Sequence, residues 1–213
     1  MNERERIYNM LDGKSVDRAP TGFWLHFPDK MHHGDAAVEA HLEFMRQTGT
    51  DILKVMNENL LYDGESKICN SADIGKFRGY SRKDKIFTDQ MDIIKRISEQ
   101  ALDRYPILAT IHGLIASVFH GTGFAGNYSS MGYRLSMFCR EKPKEMQKVF
   151  EIYTDTLMEL VDCSLEAGAD GIFYAALGGE RSWFSHDEYM DQVSVHEQRL
   201  YNHIKDKTKF NVL

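Results

Sequence analysis

The chain has 213 residues, of which 42% are hydrophobic and 11% aromatic, enough apolar material for a real core and too much for a globally disordered chain. Its net charge is −6, and its densest basic stretch, Arg78 to Lys85, is short and interrupted, so the clustered cations that nucleic-acid binding needs are missing. Cys69, Cys139 and Cys163 are widely spaced and form no CxxC pair, which argues against a disulfide framework or a zinc knuckle.

Met1 to Arg6 is charged with no apolar run behind it, so neither a signal peptide nor a membrane span is expected, and a cytoplasmic location follows. Met1 to Gly13 then reads as a short amphipathic helix with Ile7, Met10 and Leu11 on one face. The apolar run Thr21 to His26, opened by Pro20, is the first predicted strand. A helix capped by Asp35 runs to about Gln47 and stops at Gly49, and Asp51 to Met56 is the second strand. Leu60 to Phe87 carries glycines, charges and little periodicity, and reads as a long irregular excursion within one domain.

Helical spacing returns from Asp89 to Leu102, and Tyr105 to His112 forms the third strand, ended by Gly113. The segment 114–141 is mostly helical with a break around Gly121 to Gly126. Pro143 opens a long helix that ends at Gly168. Ala169 to Tyr174 is the fourth strand, Ser185 with Glu188 is a capping box for a helix to about Lys205, and Lys209 to Leu213 begins a fifth strand.

Short apolar strands separated by helices imply right-handed crossovers and a parallel sheet buried on both faces. A doubly wound sheet would ordinarily carry a glycine-rich turn after its first strand, where this sequence has Phe27-Pro28-Asp29-Lys30. The expectation is therefore an α/β fold of the (β/α)8 TIM-barrel class, incomplete, with about five of eight strands present in residues 1–213. Strands 1 and 5 would be unpaired edges, which predicts self-association.

Barrel active sites gather at the C-terminal ends of the strands. Those ends carry His26, then Asn57 and Glu58, then His112, then Tyr174 and, in the following loop, Glu180. His112 and Glu58 are the candidate acid/base groups, and His26, Asn57, Tyr174 and Glu180 the candidate substrate contacts. Gly113 would let a ligand approach the backbone beside His112. His32-His33 reads as a solvated pair, His120 as a helix-end residue, and Cys139 and Cys163 as small core residues, so no metal ligand is assigned. The glycines from Gly121 to Gly126 follow a helix, which makes a poor phosphate loop.

These residues resemble a known family. Arg4-Glu5-Arg6, Leu11 to Lys14, Val16 to Pro20, Pro106 to Gly113 and Glu166 to Gly171 together are similar to the uroporphyrinogen decarboxylase superfamily over nearly the whole chain. The resemblance implies a (β/α)8 barrel and one of two activities. Decarboxylases of porphyrin biosynthesis hold a substrate of many carboxylates with arginines after strand 1, and here no arginine lies between Arg18 and Arg46. Lys54 to Met56 and Ala175 to Glu180 resemble the other branch more closely, the corrinoid-dependent methyltransferases. That branch implies a zinc ion held by a His-x-Cys motif and a later Cys, a corrinoid, and a corrinoid protein as partner. The His-x-Cys motif follows a strand resembling Phe210 to Leu213, where the sequence stops, so no zinc ligand is assigned. The expected function is methyl transfer between a corrinoid and a thiol or small methyl donor. The alternatives are uroporphyrinogen decarboxylation and a catalytically inactive fragment that self-associates.

Overall fold

The computed structural model describes residues 1–62, 64–65, 67–124 and 128–213. The predicted glycine-rich break at Gly121 to Gly126 therefore lies partly outside the described residues. Helix α1 (Glu3–Leu11) starts on a capping box in which Asn2 and Glu5 exchange hydrogen bonds. Helix α2 (Gly34–Thr48) ends at Gly49 as expected, but His33 occupies its N-cap position. Asp35 lies in the first turn instead and pairs with Arg96. Strand β1 (Leu53–Val55), α3 (Lys85–Ala101), β2 (Ile107–His112), α4 (Leu114–Gly121), α5 (Tyr128–Glu141), α6 (Pro143–Glu166) and β3 (Gly171–Ala175) follow. The predicted capping box of Ser185 and Glu188 is present and opens α7 (His186–Tyr189), which continues through a π-helical turn, Met190–Ser194, into α8 (Val195–Ile204).

The strands form one parallel sheet in the order β1-β2-β3. Its register places Lys54 opposite Leu108 and Thr110 opposite Phe173. Side chains alternate across a sheet, so this register sorts them onto two faces. Leu53, Val55, Ile107, Ala109, Ile111 and Ile172 enter the main core with the helices, where α6 packs against α3, α4, α5 and α8. The other face carries Ile52, Lys54 and Met56, then Leu108, Thr110 and His112, then Phe173 and Ala175. Its lower end is covered by a small cluster of Ile7, Leu108 and Phe210.

Two of the five predicted strands do not form as read. Thr21 to His26 is not a strand: its backbone is tied to the segment before β1 through Asp51 N–H donating to Thr21 O, and Phe23 is 65% and Trp24 51% exposed. An apolar run is necessary for a buried strand, but the ladder of a neighbour is also required. The fifth predicted strand is reduced to a single parallel bridge between Phe173 and Val212. The structure is thus α/β with a small parallel sheet of three strands among the described residues. The predicted excursion from Leu60 to Phe87 overlaps the first turn of α3 at Lys85, and its described residues contribute to the core. Ile68, Ile74, Phe77 and Tyr80 are buried, and a 3-10 turn at Ser71–Lys76 packs on α6.

The residues that carry the family resemblance meet at the N-terminal ends of the strands. Arg4 makes two hydrogen bonds to Asp170, at 2.6 and 2.7 Å, and Asp170 also accepts from Ile107 N–H at 2.8 Å. Arg6 bridges Asp17 and Asp51, and Arg18 binds Asp51 at 2.6 and 2.9 Å. Bidentate guanidinium–carboxylate pairs fix geometry as well as charge. They clamp the start of the chain under the sheet, opposite the end where chemistry is expected. No helix among the described residues is long and apolar enough to cross a membrane.

Candidate functional site

At the C-terminal ends of β1, β2 and β3 lies an open cleft of about 830 Å³, within the size range of small-molecule pockets. Its floor is the inward face of the sheet: Lys54 and Met56, Thr110 and His112, Phe173 and Ala175. Trp24 and His26 form one wall, α4 contributes Ala116, Phe119 and His120 to another, and Leu177 and Val212 lie at the rim.

His112 is the last residue of β2, and His120 closes α4 one short helix later. The helix therefore returns the second imidazole to the first, with ring centroids 5.1 Å apart and an edge-to-face angle of 82°. Burial pushes the His112 pKa down to about 3, helped by the positive charges of His120, Lys54 and His26. Burial also pushes His120 down to about 4, against an opposing pull from Glu58. Both rings are neutral at physiological pH, so each offers one donor and one acceptor.

His26, on the cleft wall, is held by Glu58, whose Oε1 lies 2.7 Å from His26 Nδ1. Asn57, beside them, is turned to structural use. It is 3% exposed, and its side-chain oxygen accepts from Asn59 N–H at 3.0 Å. Asn59 in turn donates to Gln90, and Gln90 donates to Met56 O, which ties the loop after β1 to α3. Tyr174 lies on the helix side of β3: its hydroxyl donates to Glu197 of α8 and accepts from Leu114 N–H at 3.1 Å. Burial, and then the Glu197 carboxylate, hold that phenol well above its ordinary pKa. Glu180 is half-buried in the turn after β3, where its carbonyl accepts from Trp183 N–H at 2.9 Å, and it does not line the cleft.

The structure therefore brings His26, His112 and Tyr174 to the lining of one cleft, with Glu58 behind His26 as its hydrogen-bond partner, while the hydroxyl of Tyr174 and the amide of Asn57 are engaged elsewhere. It also changes the reason for Gly113. A Cβ there would sit 2.8 Å from Ala175 O, and Gly113 N–H donates to that same carbonyl, so the glycine serves close approach of β3.

Sequence reasoning passed over two residues of the cleft. His120 looked like a helix end, yet its spacing from His112 across a single short helix was the available signal. Lys54 sat inside an apolar strand, and a charge in a buried strand was the signal there. Its side chain is 8% exposed, with Nζ 4.7 Å from the Trp24 ring centroid, 4.4 Å from that of Phe173 and 3.0 Å from Met56 Sδ. Burial lowers its pKa to about 8, opposed by Glu58. It is the one Lys or Arg among the described residues lining the cleft.

Among the described residues no group of three His, Cys, Asp or Glu side chains is placed to hold a metal ion. Cys69 is exposed outside the cleft, and Cys139 and Cys163 are buried with their thiol pKa values raised by desolvation, Cys139 to about 12. Among the described residues, then, none is assigned as a ligand of the zinc that the sequence resemblance implies.

No protein-family model matches the sequence, and no curated protein matches it. The structure is similar to that of a methyltransferase from Methanosarcina mazei, with a TM-score of 0.64 and 14% sequence identity, over 98% of this chain and 68% of that one. At that identity the likeness establishes a shared fold.

Proposed function

We propose that the cleft is the substrate pocket of a methyltransferase of the uroporphyrinogen decarboxylase superfamily, acting between a corrinoid and a thiol or small methyl donor. The carrying observation is the pair of neutral imidazoles, His112 and His120, in a cleft at the strand ends of a fold shared with a methyltransferase. In this reading a corrinoid, carried by a partner protein, would supply or receive the methyl group. The mouth suits an apolar face: Trp24, Leu60 and Leu177 are exposed there.

His112 would orient the attacking sulfur through its neutral ring. The thiol reacts as its thiolate, with the proton released to solvent; the sulfur lone pair forms the bond to the methyl carbon, and the donor keeps the electrons of the bond that breaks. His120, packed edge-on, positions the His112 ring, while Glu58 orients His26 at the entrance. The decarboxylase alternative is disfavoured by the cleft's electrostatics, since among the described residues Lys54 is the one Lys or Arg that would face a substrate of many carboxylates.

Methylcobalamin and a thiol, incubated with the protein, should give the S-methyl product by mass spectrometry. His112→Ala should reduce the rate by about tenfold to a hundredfold through lost orientation. Stepwise carboxyl loss from uroporphyrinogen, with no S-methyl product, would overturn the proposal.

A further inference from the structure

Lys54 is held in a way that no structural role explains. It projects from the middle of β1 onto the inward face, level with Leu108 on the neighbouring strand. An aliphatic residue fills that neighbouring position, so shape alone would be met by leucine or methionine. The ammonium instead packs over the Trp24 and Phe173 rings, which also touch each other with centroids 4.9 Å apart, and a thioether is its hydrogen-bond acceptor. Aromatic faces stabilise a cation but bring no countercharge. No ion pair within 4.0 Å is formed by Lys54 among the described residues, although Glu58 acts on it from farther away. A buried cation ordinarily has a hydrogen-bonded anionic partner, because desolvation otherwise disfavours the charge.

A second polar group on the same face is also unsatisfied. Thr110 is 2% exposed, lies one step farther up the sheet on β2, and its Oγ1 has no hydrogen-bond partner. Buried hydroxyls are normally paired, and each exception asks for a reason. Lys54 and Thr110 both line the cleft, whose two inner histidines are uncharged.

We infer that Lys54 is the receptor for a single carboxylate on a small organic acid bound in the cleft, with Trp24 and Phe173 as the walls that hold the ammonium in place. This rests on the cleft being the substrate pocket proposed above, and it makes that substrate a monoanion with an apolar body. A lone cation among aromatic rings selects one anionic group and excludes a ligand with several.

Isothermal titration at neutral pH with benzoate and with benzamide, which differ in charge at nearly constant shape, tests this. Benzoate should bind more tightly by about tenfold or more, as a charge-assisted bond replacing a neutral one predicts. Lys54→Met should remove that preference, and Lys54→Arg should keep it. The wild-type comparison decides even where a variant fails to fold. Equal binding of the two probes, no benzoate binding, or an undiminished preference in Lys54→Met would overturn the inference. Benzoate preference without methyl transfer would leave this subsite standing and sink the methyltransferase reading, and methyl transfer without anion preference would do the reverse.

Discussion

Replacing Asp51 by alanine should be among the most damaging single changes to this fold. Its carboxylate is fully buried and accepts from Arg6, from Arg18 at 2.6 and 2.9 Å, and from Thr21 N–H at 2.8 Å and Thr21 Oγ1 at 3.2 Å. Removing one member of a buried pair costs about 3–5 kcal/mol, because the other charge is left desolvated and unpaired. Arg6 is buried too, but keeps two hydrogen bonds to Asp17, and Arg18 is 46% exposed and can turn to water. The lower end of the range, about 3 kcal/mol, is therefore expected. For a chain of this size that is a fall in melting temperature of roughly 6–12 °C.

Urea denaturation of wild type and Asp51→Ala, followed by circular dichroism, measures the difference. A loss below about 1 kcal/mol would refute the argument, since that is the worth of an exposed ion pair. The same contact predicts an acid limb. Burial raises the Asp51 pKa, but Arg18, the Thr21 N–H and Arg6 outweigh it, and the net shift is downward from 3.8. A depressed carboxyl contributes stability that is present above its unfolded pKa and is lost as pH falls through the folded one. The wild type should lose stability below about pH 4 more steeply than Asp51→Ala does.

Tyr174→Phe removes the hydroxyl that joins β3, α8 and the start of α4. It should cost about 1–3 kcal/mol by thermal melting, and a neutral result would show that water replaces the contact. At Gly171 a Cβ would lie 1.5 Å from Phe210 O, so Gly171→Ala should force the C-terminal segment off the sheet, cost about 3 kcal/mol and speed proteolysis after Ile204. Unchanged stability and cleavage would mean that the segment is not held there. Phe23, Trp24 and Leu25 stand exposed beside β1, so the protein should self-associate with rising concentration in sedimentation velocity. Phe23→Lys should reduce that association, and a monomer at every concentration would contradict the expectation.

Most helices were legible in the sequence because each carries its own instructions: the 3.6-residue periodicity of α3, Pro143 at the start of α6, the box of Ser185 and Glu188. The central strands β1, β2 and β3 were legible as well, since a parallel strand buried on both faces is an apolar run between helices. The ends of the sheet were not. Thr21 to His26 and Lys209 to Leu213 have the same composition as strands, but a ladder needs a neighbour, and only the fold says who that neighbour is.

The motifs that suggested a family did their work at the opposite end from the cleft, as Arg4–Asp170 and Arg6–Asp51–Arg18 contacts that tie distant segments together. By itself, then, the sequence determined the helices, the parallel central strands and a band of polar residues at the strand ends. Tertiary structure decided which of those residues face one another. It turned Tyr174 into a brace for α8, joined His120 to His112 and Glu58 to His26, and left Lys54 buried with no ion pair among the described residues. The reason is physical. Periodicity and capping depend on near neighbours in the chain, whereas a site depends on which face of each strand its register turns toward the cleft and on the charges that burial then leaves unpaired.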